Sequence, residues 1–444
     1  MEKYQSYKSS GVEWIGEIPE NWNSGKMKYV LSNNDGGVWG SDVENKEEGT
    51  LVVRSTEITI DGNWDLSQIL KRNLTDSEVS KCKLFEGDIV ITKSSGSPQH
   101  IGKSVIVSKE IEDLNCCYSN FVQRIRFKDY HPRLYHYILN SEIVREQFKY
   151  LTTSSTGLGN LNGTSLNDVL LPFIPLNEQL QIVQFLDSKT DLIDRLISTK
   201  ERKITLLKEQ RTSLINQVVT KGLNPNVKMK DSGVEWIGEI PEHWNCVGTN
   251  KVYNDLGTGT TPTSDNEEYY SDEGHHWITT TDLNEGVMYD TITKITDKSI
   301  KDYPNLRLYP SGSIYISMYG GRIGKIGIST FESYCNQSVC VLPNNKLINV
   351  KFYYYWFLGF QDLVKNMGRG GGQPNINKEM IKQFPTVKID LKEQYQIVEF
   401  LDSKTKEIDD LVQLEEKKID LLKEYRQSLI SEVVTGKIKV TTDD

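Results

Sequence analysis

The chain contains itself twice, and no other feature constrains its fold as tightly. Residues 10–23 read SGVEWIGEIPENWN and residues 232–245 read SGVEWIGEIPEHWN, identical at 13 of 14 positions. A second pair follows: residues 176–220 begin LNEQLQIVQFLDSKT, residues 391–435 begin LKEQYQIVEFLDSKT, and 29 of the 45 positions agree. Each repeat is thus an opening tag, a body of divergent sequence and a charged terminal segment.

The terminal segments carry a heptad seam. Ile193, Ile197, Lys200, Ile204, Leu207, Arg211, Leu214 and Val218 alternate at spacings of four and three, and so do Ile408, Val412, Glu415, Ile419, Leu422, Arg426, Leu429 and Val433. The apolar stripe is narrow and its flanks are dense in Lys and Glu, which favours helix pairing over burial under a domain. Each segment is therefore expected to be a long helix, paired antiparallel with the other copy. Centring the heptads on each other makes opposing residue numbers sum to 626, as with Ile193 and Val433. That register sets Arg211 against Glu415 and Lys200 against Arg426.

The bodies hold strand-like runs at Gly87–Thr92, Ser104–Val107, Val122–Phe127 and Ser313–Met318, between turns rich in Gly, Asn, Ser and Thr. Amphipathic helices are expected at Leu134–Phe148 and Phe352–Lys365. The fold class is α+β: two tandem mixed α/β domains separated by two long helices in an antiparallel coiled coil, with an internal pseudo-twofold repeat. The expected boundaries are 1–175 and 232–390 for the domains, 176–222 and 391–436 for the helices, 223–231 for a linker and 437–444 for a tail.

Known chemistry is hard to find in the sequence. The run Gly96 to Ser104 resembles a phosphate loop but has one residue too many between its glycines, and a turn leading into a strand is the better reading. His275-His276 lacks helical metal-ligand spacing, and no nucleophile elbow or dinucleotide fingerprint occurs. No metal site or catalytic residue is expected. Six cysteines without a CxxC pair, no apolar run long enough for a membrane span and no signal-like start point to a cytoplasmic protein with reduced thiols. A net charge of −9 argues against non-specific wrapping of nucleic acid but leaves room for local contacts.

Loops of the kind that read base edges and hold phosphates remain. In the first body the candidates are Arg54, Ser55, Lys93, Ser94, Ser95, Gln99, His100, Lys103, Arg124, Arg126, Ser154, Ser155, Asn160 and Asn162. In the second they are Thr258, Thr260, Thr261, Thr279, Thr280, Thr281, Tyr319, Arg322, Lys325, Arg369, Gln373, Asn375 and Asn377. Corresponding loops in both bodies strengthen the case.

The repeated tag, the Glu-Gln-x-x-Ile-Val-x-Phe-Leu-Asp helix start (Glu178-Gln179, Glu393-Gln394) and their tandem order resemble the specificity (S) subunit of type I restriction–modification enzymes. The resemblance implies two target recognition domains, each binding one half of an asymmetric bipartite site in double-stranded DNA. It also implies that the coiled coil sets their spacing and docks two modification (M) subunits. Those partners bind S-adenosylmethionine and methylate adenine; restriction (R) subunits bind ATP and Mg and add translocation and cleavage. The chain itself would be non-catalytic. Relatives often have paired prolines before Glu-Gln, where this chain has Pro175-Leu-Asn177 and Asp390-Leu-Lys392. Two other readings remain: an adapter of the same fold serving another effector, and a coiled-coil scaffold without a DNA role.

Overall fold

The computed structural model describes residues 2–44, 48–155, 158–368 and 375–440, with the backbone alone at 153–155 and 158. The chain divides into two compact units, residues 1–200 with 417–444 and residues 201–416. The expected long helices are Leu176–Lys221 and Leu391–Val434, so the end of the second belongs to the first unit.

In the first unit the tag forms an antiparallel pair, Tyr7–Ser9 with Glu17–Pro19. Gly11 and Gly16 turn the chain at φ 73° and 72°, a conformation that glycine adopts without a Cβ penalty. The pair leads to Trp22, fully buried. Behind it lies a four-stranded antiparallel sheet, in the order Leu31–Gly36, Val122–Phe127, Ile89–Thr92, Ser104–Ile106. A smaller sheet sets Thr50–Val53 between Leu70–Arg72 and Cys117–Tyr118. One core joins the tag, the larger sheet, the body helices and both long-helix segments, through Ile15, Trp22, Leu186, Ile193, Leu429 and Val433 among others.

The second unit repeats this plan. Met229–Asp231 pairs with Glu239–Pro241, and a five-stranded sheet runs Gly257–Thr258, Val339–Leu342, Ile314–Ser317, Ile326–Ser329, Gly286–Met288. Its core gathers Trp244, Phe352, Trp356, Val218 and Leu401.

Four expectations change. The body helices are each two helices: Pro132–Asn140 and Glu142–Leu151, then Val350–Gly359 and Gln361–Asn366. Ser141 breaks the first, because its backbone is extended and its hydroxyl donates to the Ile138 carbonyl at 2.6 Å. The expected linker contains a paired strand at Met229–Asp231. The expected tail is packed in its described part: Lys439 bridges Glu2, and Ile438 and Val440 lie against the first unit's core.

The fourth change is the helix register. Within the first unit Arg426 pairs with Asp194 at 3.0 Å; within the second, Lys203 pairs with Glu415 at 3.0 Å and Arg211 with Asp409 at 2.9 Å. The helices are antiparallel, and these residue numbers sum to 618–620, one heptad from the expected 626. The shift removes the layer in which Lys200 would face Arg426 and gives each seam arginine an aspartate. It also aligns Leu186 with Val433 and Val218 with Leu401, extending the apolar layers. The seam positions themselves stand: Ile193, Ile204, Leu207, Val218, Ile408, Val412, Ile419, Leu429 and Val433 are buried, while Ile197, Leu214 and Leu422 are half-buried.

This register determines how separated halves would pair. Two copies of 1–222 would set Arg211 near Asp194 twice but Lys203 near Lys200 twice. Two copies of 231–444 would set Arg426 near Asp409 and Lys418 near Glu415, all attractive. At about 0.3–1 kcal/mol per partly exposed pair, with two pairs changing from repulsive to attractive, the C-terminal half should dimerise more tightly by roughly 1–4 kcal/mol at low salt. Sedimentation of both halves tests this; an equal or tighter N-terminal dimer would show the register to be wrong.

Candidate nucleic-acid interface

The repeated helix start bolts each body to its long helix. In the first unit the Glu178 carboxylate accepts from Trp22 Nε1 (3.2 Å), Tyr4 Oη (2.6 Å) and Asn21 Nδ2 (2.7 Å). Gln179 donates to the Ile174 carbonyl at 2.8 Å and accepts the His131 N–H at 2.7 Å. About two to three turns on, Tyr137 donates to Asp187 at 2.6 Å and lies 3.1 Å from Thr190 Oγ1. The second unit uses the same bonds: Glu393 accepts from Trp244 at 3.0 Å, Gln394 donates to Ile389 and accepts from Asn349, and Tyr355 donates to Asp402 at 2.6 Å. The motif residues are thus structural.

The loops of each body meet at one end of its larger sheet. In the first unit Ser94-Ser95 pairs with the hairpin strand Leu158–Asn160, which pairs with Thr153–Ser155. Ser94 donates to Asn160 Oδ1 at 3.0 Å, and Asn162 caps the following helix by accepting from Ser165 at 2.8 Å. Gln99 is exposed in the short turn Pro98–His100, His100 is half-buried, and Lys93 is half-buried at the root of the loop. Ser154 and Ser155 are placed by backbone only. Residues 96–104 form the expected turn into a strand, with Gly102 at φ 74°.

Four cations from this list are committed elsewhere. Arg54 is forked onto buried Glu57, with Nη2 at 2.6 Å, and donates to the Gln68 carbonyl; its neighbour Ser55 is half-buried in the same turn. Lys103 is buried, donating to the Ile58 carbonyl. Arg124 is buried between Asp35 (2.8 Å) and the Lys83 carbonyl (2.9 Å). Burial works against the Arg124 charge, and Asp35 with its neighbours more than offsets this, raising its pKa. Arg126 pairs at 2.7 Å with fully buried Asp88, whose pKa burial pushes up despite that partner. These side chains hold the turn, strand and sheet.

The second unit shows the same division. Arg322 donates to the Thr280 and Leu283 carbonyls, both at 2.7 Å, and Lys325 pairs with Glu285. Burial opposes the Glu285 carboxylate, yet bonds from Lys325 and Gln361 hold its pKa down. Thr279 forms a capping box with Asp282 and lies 2.6 Å from Thr281 Oγ1. The Thr258 and Thr260 carbonyls accept from Tyr309 and Trp277, and Thr261 donates to Gln337. Tyr319, exposed, bridges exposed Asn375, as Ser94 pairs with Asn160 in the first unit. Asn377 caps the next helix by accepting from Met380 at 2.9 Å. Arg369 and Gln373 lie outside the described residues. Among the described residues, the groups open to outside contact include Lys93, the Ser94–Asn160 pair, Gln99 and His100 in one unit, and Tyr319 with Asn375 in the other.

Exposed Phe121 was missed by the sequence reading. Its carbonyl accepts from the N–H groups of Lys93 and Ser94, which places it beside the loop. The long helices also carry a second stripe: exposed Leu411, Leu414, Leu421 and Tyr425, with half-buried Lys418 among them, recur at heptad spacing one residue from the inner seam, with Leu196 and Leu206 at matching positions on the first helix. Among the described residues no helix is long and apolar enough to cross a membrane.

The committed cations give a direct contrast. Replacing Arg124 or Arg322 by Ala should lower stability by about 1–3 kcal/mol, because each leaves buried acceptors unsatisfied. Replacing exposed Gln99 by Ala should leave the melting temperature unchanged and weaken DNA binding. Melts and gel shifts on the same variants separate the two classes, and an unaltered melt for R124A would contradict its structural role.

Residues 19–206 and 241–424 match the family model for the type I restriction modification DNA specificity domain. The chain is 26% identical to a putative type I restriction enzyme specificity subunit, MjaX, of Methanocaldococcus jannaschii, over 96% of each chain. It is 24% identical to the MjaVIII specificity subunit of the same organism, over 95% of this chain and 94% of that one. Among solved structures, one chain of a type I restriction–modification system studied for complex assembly and conformational transition matches with a TM-score of 0.73, covering 95% of this chain and 99% of that one at 14% identity. The HsdS subunit from Thermoanaerobacter tengcongensis matches with a TM-score of 0.53 at 14% identity, covering 95% of this chain and 98% of that one.

Proposed function

The chain belongs to the specificity-subunit family of type I restriction–modification systems, with two DNA recognition domains, and from that premise we propose how it works. Each domain binds one half of an asymmetric bipartite site in double-stranded DNA, through the loop cluster at the end of its sheet. One observation carries this reading: two bodies held by matching anchors present different side chains at equivalent loop positions. Ser94 and Asn160 stand where Tyr319 and Asn375 stand. A shared frame with unlike loops is what reading two unlike half-sites requires.

The chain supplies recognition and not chemistry. Two M subunits carry S-adenosylmethionine and methylate adenine, and R subunits with ATP and Mg cleave. The long helices set the spacing between half-sites, at about 1.5 Å per residue. The exposed heptad stripe supports docking of helices from the M subunits, since an apolar a/d row in water favours a helical partner.

Two experiments test this. Exchanging residues 87–171 for the matching segment of a relative should change one half of the methylated motif only, seen by single-molecule sequencing of DNA from cells carrying the system. Simultaneous change of both halves would refute independent reading. Changing Leu411, Leu414 and Leu421 to Glu should reduce co-purification of M by at least about tenfold without loss of helicity; undiminished M capture would place docking elsewhere.

A further inference from the structure

The strand registers allow the two bodies to be compared atom for atom. Gln123 lies opposite Ile91 and Gly36 in the first unit; Cys340 lies opposite Ile316 and Thr258 in the second. Two residues beyond Ile91 and Ile316 stand Lys93 and Met318, held by the same backbone bonds. The Lys93 N–H donates to the Phe121 carbonyl (3.0 Å) and its carbonyl accepts from Leu161 (2.8 Å). The Met318 N–H donates to the Ser338 carbonyl (2.8 Å) and its carbonyl accepts from Ile376 (3.0 Å).

The second unit fills this place with buried Met318 and Cys340. The first puts Lys93 and Gln123 there. The Lys93 ammonium comes out beside exposed Gly36, where an added Cβ would lie 3.7 Å from Nζ and 3.6 Å from Gln123 Oε1. Gln123 is fixed by donating to Asn34 Oδ1 at 2.7 Å. Among the described residues no acceptor is recorded for Lys93 Nζ. Burial pushes its pKa down with no acid to restore it. A half-desolvated cation without a partner lowers stability, and a frame that accepts methionine at this position does not require one. The gain has to come from outside the chain.

We propose that Lys93, flanked by Gln123, is a specific contact of the first recognition domain that donates to a hydrogen-bond acceptor of bound DNA, and that the second domain has no counterpart. The acceptor is a guanine O6/N7 edge or a phosphate oxygen. The proposal rests on the reading of the bodies as DNA-binding.

The test is K93M, which installs the second unit's residue, in the full chain assembled with its M subunits. With a base contact, the methylated motif becomes degenerate at one guanine of the first half-site, with roughly tenfold or greater loss of discrimination. With a phosphate contact, the motif is unchanged, affinity falls, and the slope of log K against log salt shrinks by about 0.9. In both cases the second half-site is read as before and the melting temperature is not lowered. Wild-type motif, affinity and salt slope in K93M would overturn the proposal. If K93M melts lower, K93Q is read by the same criteria, and wild-type behaviour in it overturns the proposal equally. A wild-type complex that binds no DNA would instead overturn the broader reading.

Discussion

The Glu178 carboxylate is the point on which the first unit is assembled. At the first turn of a helix it collects Trp22 and Asn21 from the tag and Tyr4 from the residues before it. A helix N-terminus favours a carboxylate and leaves backbone donors to be satisfied nearby. Hydrogen bonds to a charged acceptor each contribute about 1.5–3 kcal/mol, more than neutral ones. Gln179, the next residue, holds the chain leaving the body's last strand and the chain entering the helix Pro132–Asn140. Two adjacent side chains thereby fix tag, body and long helix together, and Glu393-Gln394 repeats the arrangement. This is why the tag and helix start are nearly invariant between repeats while the bodies differ.

Such anchoring separates what must stay from what is free to vary. The tag's interior positions, Ile15, Ile18 and Trp22, recur as buried Ile237, Ile240 and Trp244. The loop cluster faces no such demand, because its strands are held by backbone bonds that do not depend on side-chain type. Ser94 and Tyr319 occupy the same place with different chemistry and the same pairing. A domain built this way changes its exposed loop side chains without changing its fold.

Much of this plan was legible in the residues. The duplication gave the two repeats, and heptad spacing gave both helices nearly to the residue, since period and length are local properties. The register was not legible. Centring the heptads ignored the flanking aspartates, and Asp194 and Asp409 decide the layer into which the arginines fall. The internal partners of the candidate site residues were not legible either. Arg124 and Arg322 look like phosphate contacts in a loop-rich sequence, but whether an arginine faces water or a buried carbonyl depends on chain segments about 40 to 90 residues away. The contrast between Lys93 and Met318 was available from the aligned strands. Only the register with Gln123 and Gly36 gave it meaning.

The internal use of cations also bears on the overall charge. A protein with net charge −9 gains little from long-range attraction to a polyanion. Here Arg54, Lys103, Arg124, Arg126, Arg322 and Lys325 are also spent on internal acceptors. Among the described residues few cations remain at the loop clusters. Non-specific affinity scales with the phosphates neutralised, whereas discrimination scales with contacts to base edges. A recognition chain poor in the first and supplied with the second binds weakly by itself but distinguishes sites well.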